Sequence, residues 1–251
     1  ATWILRFEQS FARWAQLFGL SYTRIKFNNN EWDDGASWGS SGNANRGDIR
    51  ICSKPLDGNG GVLAYNSFPS DGDMVLDSGD AWGGATNQHR FLRNVIMHEH
   101  GHGIGLAHTC SSNSNILMEP SINTSYDGPR HDDVRGAQRH YGDPFENDNT
   151  AATARDIGQL AMNTTITNLC TMPSPQTGTN PASTTNCSID ANGKVDFLRF
   201  SIAQPAKVTV TVSPIGLSYD SSTQAGNGAC NCCNNINSLN MTNLAADVRA
   251  T

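Results

Sequence analysis

A chain of 251 residues that is 37% hydrophobic holds enough apolar material for one large core or two ordinary ones, which excludes disorder throughout. Its 23 acidic side chains outnumber its 17 basic ones, and no run of Lys or Arg tracks a phosphate backbone, so nucleic acid is not expected as a partner. No stretch approaches the roughly 18 consecutive apolar residues of a membrane span.

Seven cysteines in a chain of low charge, rich in Asn, Ser, Thr and Gly, point to an oxidising, extracytoplasmic setting. The odd number leaves one thiol over, and no pair of CxxC motifs offers a thiolate zinc site. The sequence opens at Ala1 without a basic and apolar leader, so any export signal is expected to have been removed or to lie outside it.

In chain order, Phe7, Phe11, Trp14, Ala15 and Phe18 recur at helical spacing until Gly19. Strand-like runs follow at 22–27, 48–52, 61–65 and 73–76, separated by Gly, Asn, Asp and Ser clusters. A second helix is expected to start at an N-cap on Thr86 or Asn87 and run through Phe91, Leu92, Val95 and Ile96 to Gly103. A third spans 131–141 and ends at Gly142, Asp143 and Pro144. Helices backing a mixed sheet make this an α+β domain over 1–143. Beyond Pro144 the composition shifts to Thr, Asn, Ser and Pro, with apolar alternation at 195–202 and 207–212. Residues 144–251 therefore read as a separate β-rich domain.

The second helix carries His98-Glu99-His100-Gly101-His102-Gly103-Ile104-Gly105-Leu106-Ala107-His108, which fits H-E-x-x-H-x-x-G-x-x-H at every fixed position. Four residues of helix turn about 400°, so His98 and His102 project from one face toward a single ion. Gly105 can take a positive φ and turn the chain so that His108 returns as third ligand. Three neutral imidazoles leave a fourth zinc position for water, the mark of a catalytic site. Glu99 cannot share the ligands' line and faces that water as general base. His100 lies outside the ligand spacing and is expected to be solvated.

These residues resemble the metzincin clan of metalloproteases, and within it the matrixins. Asn115-Ile116-Leu117-Met118-Glu119-Pro120-Ser121 is similar to the matrixin Met-turn A-L-M-Y-P-S, which makes Met118 the floor of the site. Gly61-Val62-Leu63-Ala64 resembles the edge strand that pairs with bound peptide. Asp73 to Trp82 resembles the segment leading to the active-site helix. Thr109 stands where Ser is usual and Glu119 where Tyr is usual, and no P-R-C-G-V-P-D propeptide switch is present. The resemblance implies a zincin-like fold, with a mixed five-stranded sheet and three helices, and a secreted endopeptidase with one catalytic zinc that cleaves extended peptides. Pro120, Ser121 and Ile122 would wall the pocket for the side chain after the scissile bond, with an apolar residue there. Structural calcium is expected on Asp57, Asp77 and Asp80 with the carbonyls of Gly58, Gly60 and Val62. A second, structural zinc is not, because Arg50, Cys52, Tyr65 and Val75 stand at its ligand positions.

The stretch Glu146 to Arg155, with 194–202 and 244–249, resembles a bacterial pre-peptidase C-terminal β-sandwich, expected to be incomplete because the strands normally found after Val248 do not follow. It is a candidate for association with a cell surface or matrix. Sequence proximity suggests a Cys170–Cys187 disulfide, and a second between Cys52 and Cys110 is expected if the strand at Cys52 passes near the chain after His108. The competing expectation is a catalytically silent binding or structural module of an extracellular surface assembly, against which the intact Glu99 counts.

Overall fold

The protein is described by a computed structural model over residues 2–26, 47–110, 115–167, 169, 187–189, 194–214, 216, 218–220, 225, 235–241 and 245–249. Helix α1 (Thr2–Ala15) precedes strands β1 (Ile51–Lys54), β2 (Ala64–Asn66) and β3 (Met74–Asp77), then α2 (Arg90–Gly103) and α3 (His131–Tyr141). The sheet runs β1-β3-β2, with β1 parallel and β2 antiparallel to β3. It is mixed as expected, but three strands rather than five form among the described residues.

Residues 22–26 form no strand there, because Tyr22 turns inward onto the aromatic cluster of α1 and α2, its ring 5.2 Å from that of Phe11. The edge strand begins at Ala64 and not at Gly61, whose φ of 81° breaks the extended run. The Leu63 carbonyl nevertheless accepts from the Asp77 N–H at 2.8 Å and prolongs the pairing.

Helix α2 is the hub, with apolar material packed on both sides. One cluster joins Trp14 and Phe18 to Met97, Ile116, Leu117, Met118, Tyr126 and Ala137. The other joins Ala64, Met74 and Leu76 of the sheet to Leu92, Val95 and Ile96, with Phe7, Phe11 and Ile122 against it. Asn87, Gln88 and His89 all take positive φ and delay the start of α2 to Arg90, so neither Thr86 nor Asn87 is its N-cap. Helix α3 has the expected bounds, and Gly142 (φ 73°) follows it.

Past residue 143, β4 (Arg155–Leu160) pairs in parallel with β5 (Leu198–Ile202), and β6 (Ser218–Asp220) pairs antiparallel with β7 (Asn235–Asn237). Residues 207–212 form no strand, and no two-layered sandwich forms among the described residues: Leu198, Ile202, Val210 and Val212 stay exposed. The Asp148 carbonyl accepts from the Phe197 N–H at 2.8 Å, and an Asp143 carboxylate oxygen from the Ser188 N–H at 2.9 Å. Cys52 is a free thiol on the edge strand β1, in register with Val75 of β3, which overturns the Cys52–Cys110 pairing. Cys170, of the expected Cys170–Cys187 pair, lies outside the described residues.

Candidate metal centre

Helical periodicity puts His98 and His102 one turn apart on α2, their rings 4.9 Å between centroids. The helix then closes. Gly105 adopts φ 98°, and the Leu106 N–H donates to the Gly101 carbonyl at 2.9 Å, reversing the chain so that His108 faces the pair. Its Nε2 lies 3.1 Å from Nε2 of His98 and 3.1 Å from Nε2 of His102.

The opposite ring nitrogens define the tautomers. His98 Nδ1 lies 2.7 Å from the Leu117 carbonyl and His102 Nδ1 lies 2.7 Å from that of Leu106. A carbonyl only accepts, so both Nδ1 atoms carry the proton and both Nε2 lone pairs point inward. Desolvation holds the His98 imidazole down to about 3 and lowers that of His102, which keeps them neutral as ligands must be. Nitrogens bound tetrahedrally to zinc at ~2.0–2.1 Å stand about 3.3 Å apart, so the triad fits the ion. It is the one group of three or more His, Cys, Asp or Glu gathered at ligand spacing among the described residues.

Glu99 is 7% exposed beside the first ligand, and burial pushes its carboxyl up to about 8. Met118 packs under the helix: a Cβ on Gly101 would sit 2.3 Å from its Sδ. The turn carrying it is held by Asp133 of α3, whose carboxylate accepts from the N–H groups of Leu117 (2.8 Å), Met118 (3.0 Å) and Arg130 (2.7 Å). The Tyr126 hydroxyl donates to the Ile116 carbonyl at 2.6 Å. Sequence reading missed Asp133. Its signal, an acidic pair in the first turn of a helix, is also ordinary helix-dipole chemistry and does not stand out.

His100 departs from expectation. It is 1% exposed on the back of α2, its Nε2 is 2.6 Å from the Tyr22 hydroxyl, and its ring lies 4.6 Å from that of Phe11. Turning by about 200° from His98 directs it into the cluster behind the helix.

Strand β2 is a sheet edge, with no ladder partner on its outer side among the described residues. Ile122 packs against the same buried cluster as Leu63. Pro120 is half-buried and Ser121 exposed; Gly61 and Val62 are exposed in the loop before β2. The expected calcium carboxylates take backbone partners. Asp77 accepts from the N–H groups of Leu56, Asp57 and Gly58 at 3.1 Å each and Gly79 at 2.7 Å. Asp57 accepts from Val62 at 3.1 Å and Asp80 from Gly60 at 2.7 Å. Arg50 forms an ion pair with Asp73, and Cys52, Val75 and Tyr65 align across the three strands.

The family model for matrixins matches residues 3–142, more than half of the chain. The chain belongs to the matrixin family. This matrixin is 39% identical to mouse (Mus musculus) stromelysin-3 over 94 residues, covering 36% of the chain and 19% of that protein. It is 35% identical to human (Homo sapiens) matrix metalloproteinase-20 over 143 residues, 54% of the chain and 27% of that protein. With the hatching enzyme of Paracentrotus lividus it shares 29% identity over 160 residues, 59% of the chain and 24% of that protein. The matches thus span about a fifth to a quarter of these curated relatives.

Proposed function

We propose that this matrixin is a secreted zinc endopeptidase that hydrolyses extended protein substrates, with His98, His102 and His108 holding the ion and Glu99 as general base. The observation that carries this reading is the convergence of three Nε2 atoms, with the Nδ1 atoms of two fixed on backbone carbonyls. A bound zinc ion supplies Lewis acidity at the scissile carbonyl and at the attacking water. The Glu99 carboxylate takes the water's proton and delivers it to the leaving nitrogen. Its burial keeps the carboxyl near the range where it can do both. Substrate backbone adds antiparallel to the outer edge of β2, and Pro120, Ser121 and Ile122 wall the pocket beside it.

Calcium on Asp57, Asp77 and Asp80, with the carbonyls of Gly58, Gly60 and Val62, is part of the same reading, supported by the family pattern and by the shared loop these residues tie together. So is a pre-peptidase C-terminal-like region over 144–251, closed by a Cys170–Cys187 disulfide and serving surface or matrix association. Digestion of casein with zinc, and with a chelator, tests the function: cleavage that the chelator abolishes supports it, and no cleavage by the zinc-loaded chain contradicts it.

A further inference from the structure

Helix α2 buries an amide one turn before its first histidine ligand. Asn94 is fully buried, and Leu92, Val95 and Ile96 around it belong to the apolar cluster on the sheet. An amide carried into such a core is costly unless its N–H groups and its oxygen find partners. Asn94 finds them on a single stretch of chain. Its Nδ2 donates to the Asn123 carbonyl at 2.9 Å and to the Tyr126 carbonyl at 3.0 Å, and its Oδ1 accepts from the Gly128 N–H at 2.9 Å.

That stretch leads back to the metal centre. Tyr126 is buried, and its hydroxyl donates to the Ile116 carbonyl at 2.6 Å. The N–H of the same peptide, that of Leu117, is held by Asp133 at 2.8 Å. The carbonyl that follows, that of Leu117, lies 2.7 Å from His98 Nδ1. His98 stands one turn after Asn94 on the same face of α2. A closed circuit therefore runs from Asn94 through Tyr126, Ile116 and Leu117 to His98 and back along the helix.

We infer that Asn94 is a positioning residue of the metal centre, holding through Tyr126 the Leu117 carbonyl that orients His98. This rests on the zinc-endopeptidase reading, in which His98 is a ligand. A ligand histidine binds well only when the acceptor on its far nitrogen fixes its tautomer and ring plane, and loss of such an acceptor weakens metal affinity by about 10–100-fold. Asn94 acts at one remove and Asp133 still grips the same peptide, so its loss falls at the lower end of that range.

The test measures the zinc Kd by competition with a fluorescent chelator in the parent, Asn94→Asp, Tyr126→Phe and the double variant. Asn94→Asp keeps the acceptor for Gly128 and removes both donors at nearly constant size. Leu17→Ala, a buried position outside the circuit, controls for a general loss of packing. The expected result is a zinc Kd raised about tenfold by each single variant, no further rise in the double variant, and no change in Leu17→Ala. An unchanged Kd in Tyr126→Phe, single effects that multiply in the double variant, or an equal rise in Leu17→Ala overturns the inference. Should Asn94→Asp not fold, Tyr126→Phe decides alone. Casein cleavage by the parent is scored separately. A parent that cleaves, with zinc Kd unmoved in the variants, sinks the inference and leaves the peptidase reading intact. Coupled loss of zinc affinity in a chain whose parent cleaves nothing supports the inference and defeats that reading.

Discussion

Gly101 lets two elements approach more closely than any other residue would allow. Its missing side chain is the space into which Met118 pushes its sulfur, 2.3 Å from where a Cβ would stand. Gly101→Ala is expected to cost ~1–3 kcal/mol by overpacking. Urea unfolding measures it, and an unchanged midpoint would show that Met118 is free to move. Behind the same helix, Arg93 is 2% exposed and donates to Asp127 at 2.6 Å, with Arg90 also beside that carboxylate. Asp127→Ala strands two buried cations, so a loss of ~3–5 kcal/mol is expected in the same experiment. The three histidines of the triad were legible because their spacing alone brings them together. His100 was not, because its burial depends on Phe11, Trp14 and Tyr22, which approach from far along the chain.

At the scale of elements, β3 and the loop before β2 are joined through one carboxylate. Asp77 is fully buried and its carboxyl is held below the usual range, first by the Gly79 N–H, with those of Leu56, Asp57 and Gly58 adding and burial opposing. A depressed folded-state pKa contributes stability that is present above the unfolded value, near 3.9, and is lost as pH falls through the folded value. Asp77→Asn is therefore expected to be less stable than the parent at pH 7, and to lose less stability than the parent between pH 5 and pH 2. Denaturation midpoints across that range check this. Parallel pH profiles would show that Asp77 does not carry the acid sensitivity.

Element boundaries were legible where local chemistry sets them. Helix α3 ends at a glycine of positive φ, visible in the sequence. The left-handed run at 87–89 gave no such sign, since no glycine marks it. The strand at β2 moved because Gly61, read as extended, turns instead.

For the whole molecule, a zinc ion held by the three histidines would tie α2 to the loop beyond it, and the Leu117 contacts to His98 and Asp133 would extend that tie to α3. An ion bound only by the folded chain stabilises it by mass action. Thermal unfolding is therefore expected to rise with free zinc and to fall on chelation; a Tm indifferent to zinc would place the ion outside the folded site. The change of composition after Pro144 carries the expectation of a second domain. The strand expected at 207–212 does not form, because alternating apolar residues predict a strand without naming the partner that would pair with it.

The central assignment is tested most directly by measuring bound zinc and peptide turnover together in the parent, Glu99→Ala and His102→Ala. One zinc per chain with most turnover lost is expected for Glu99→Ala, and loss of both zinc and turnover for His102→Ala. Near-normal peptidase activity in Glu99→Ala, or undiminished zinc in His102→Ala, would contradict the roles given to these residues.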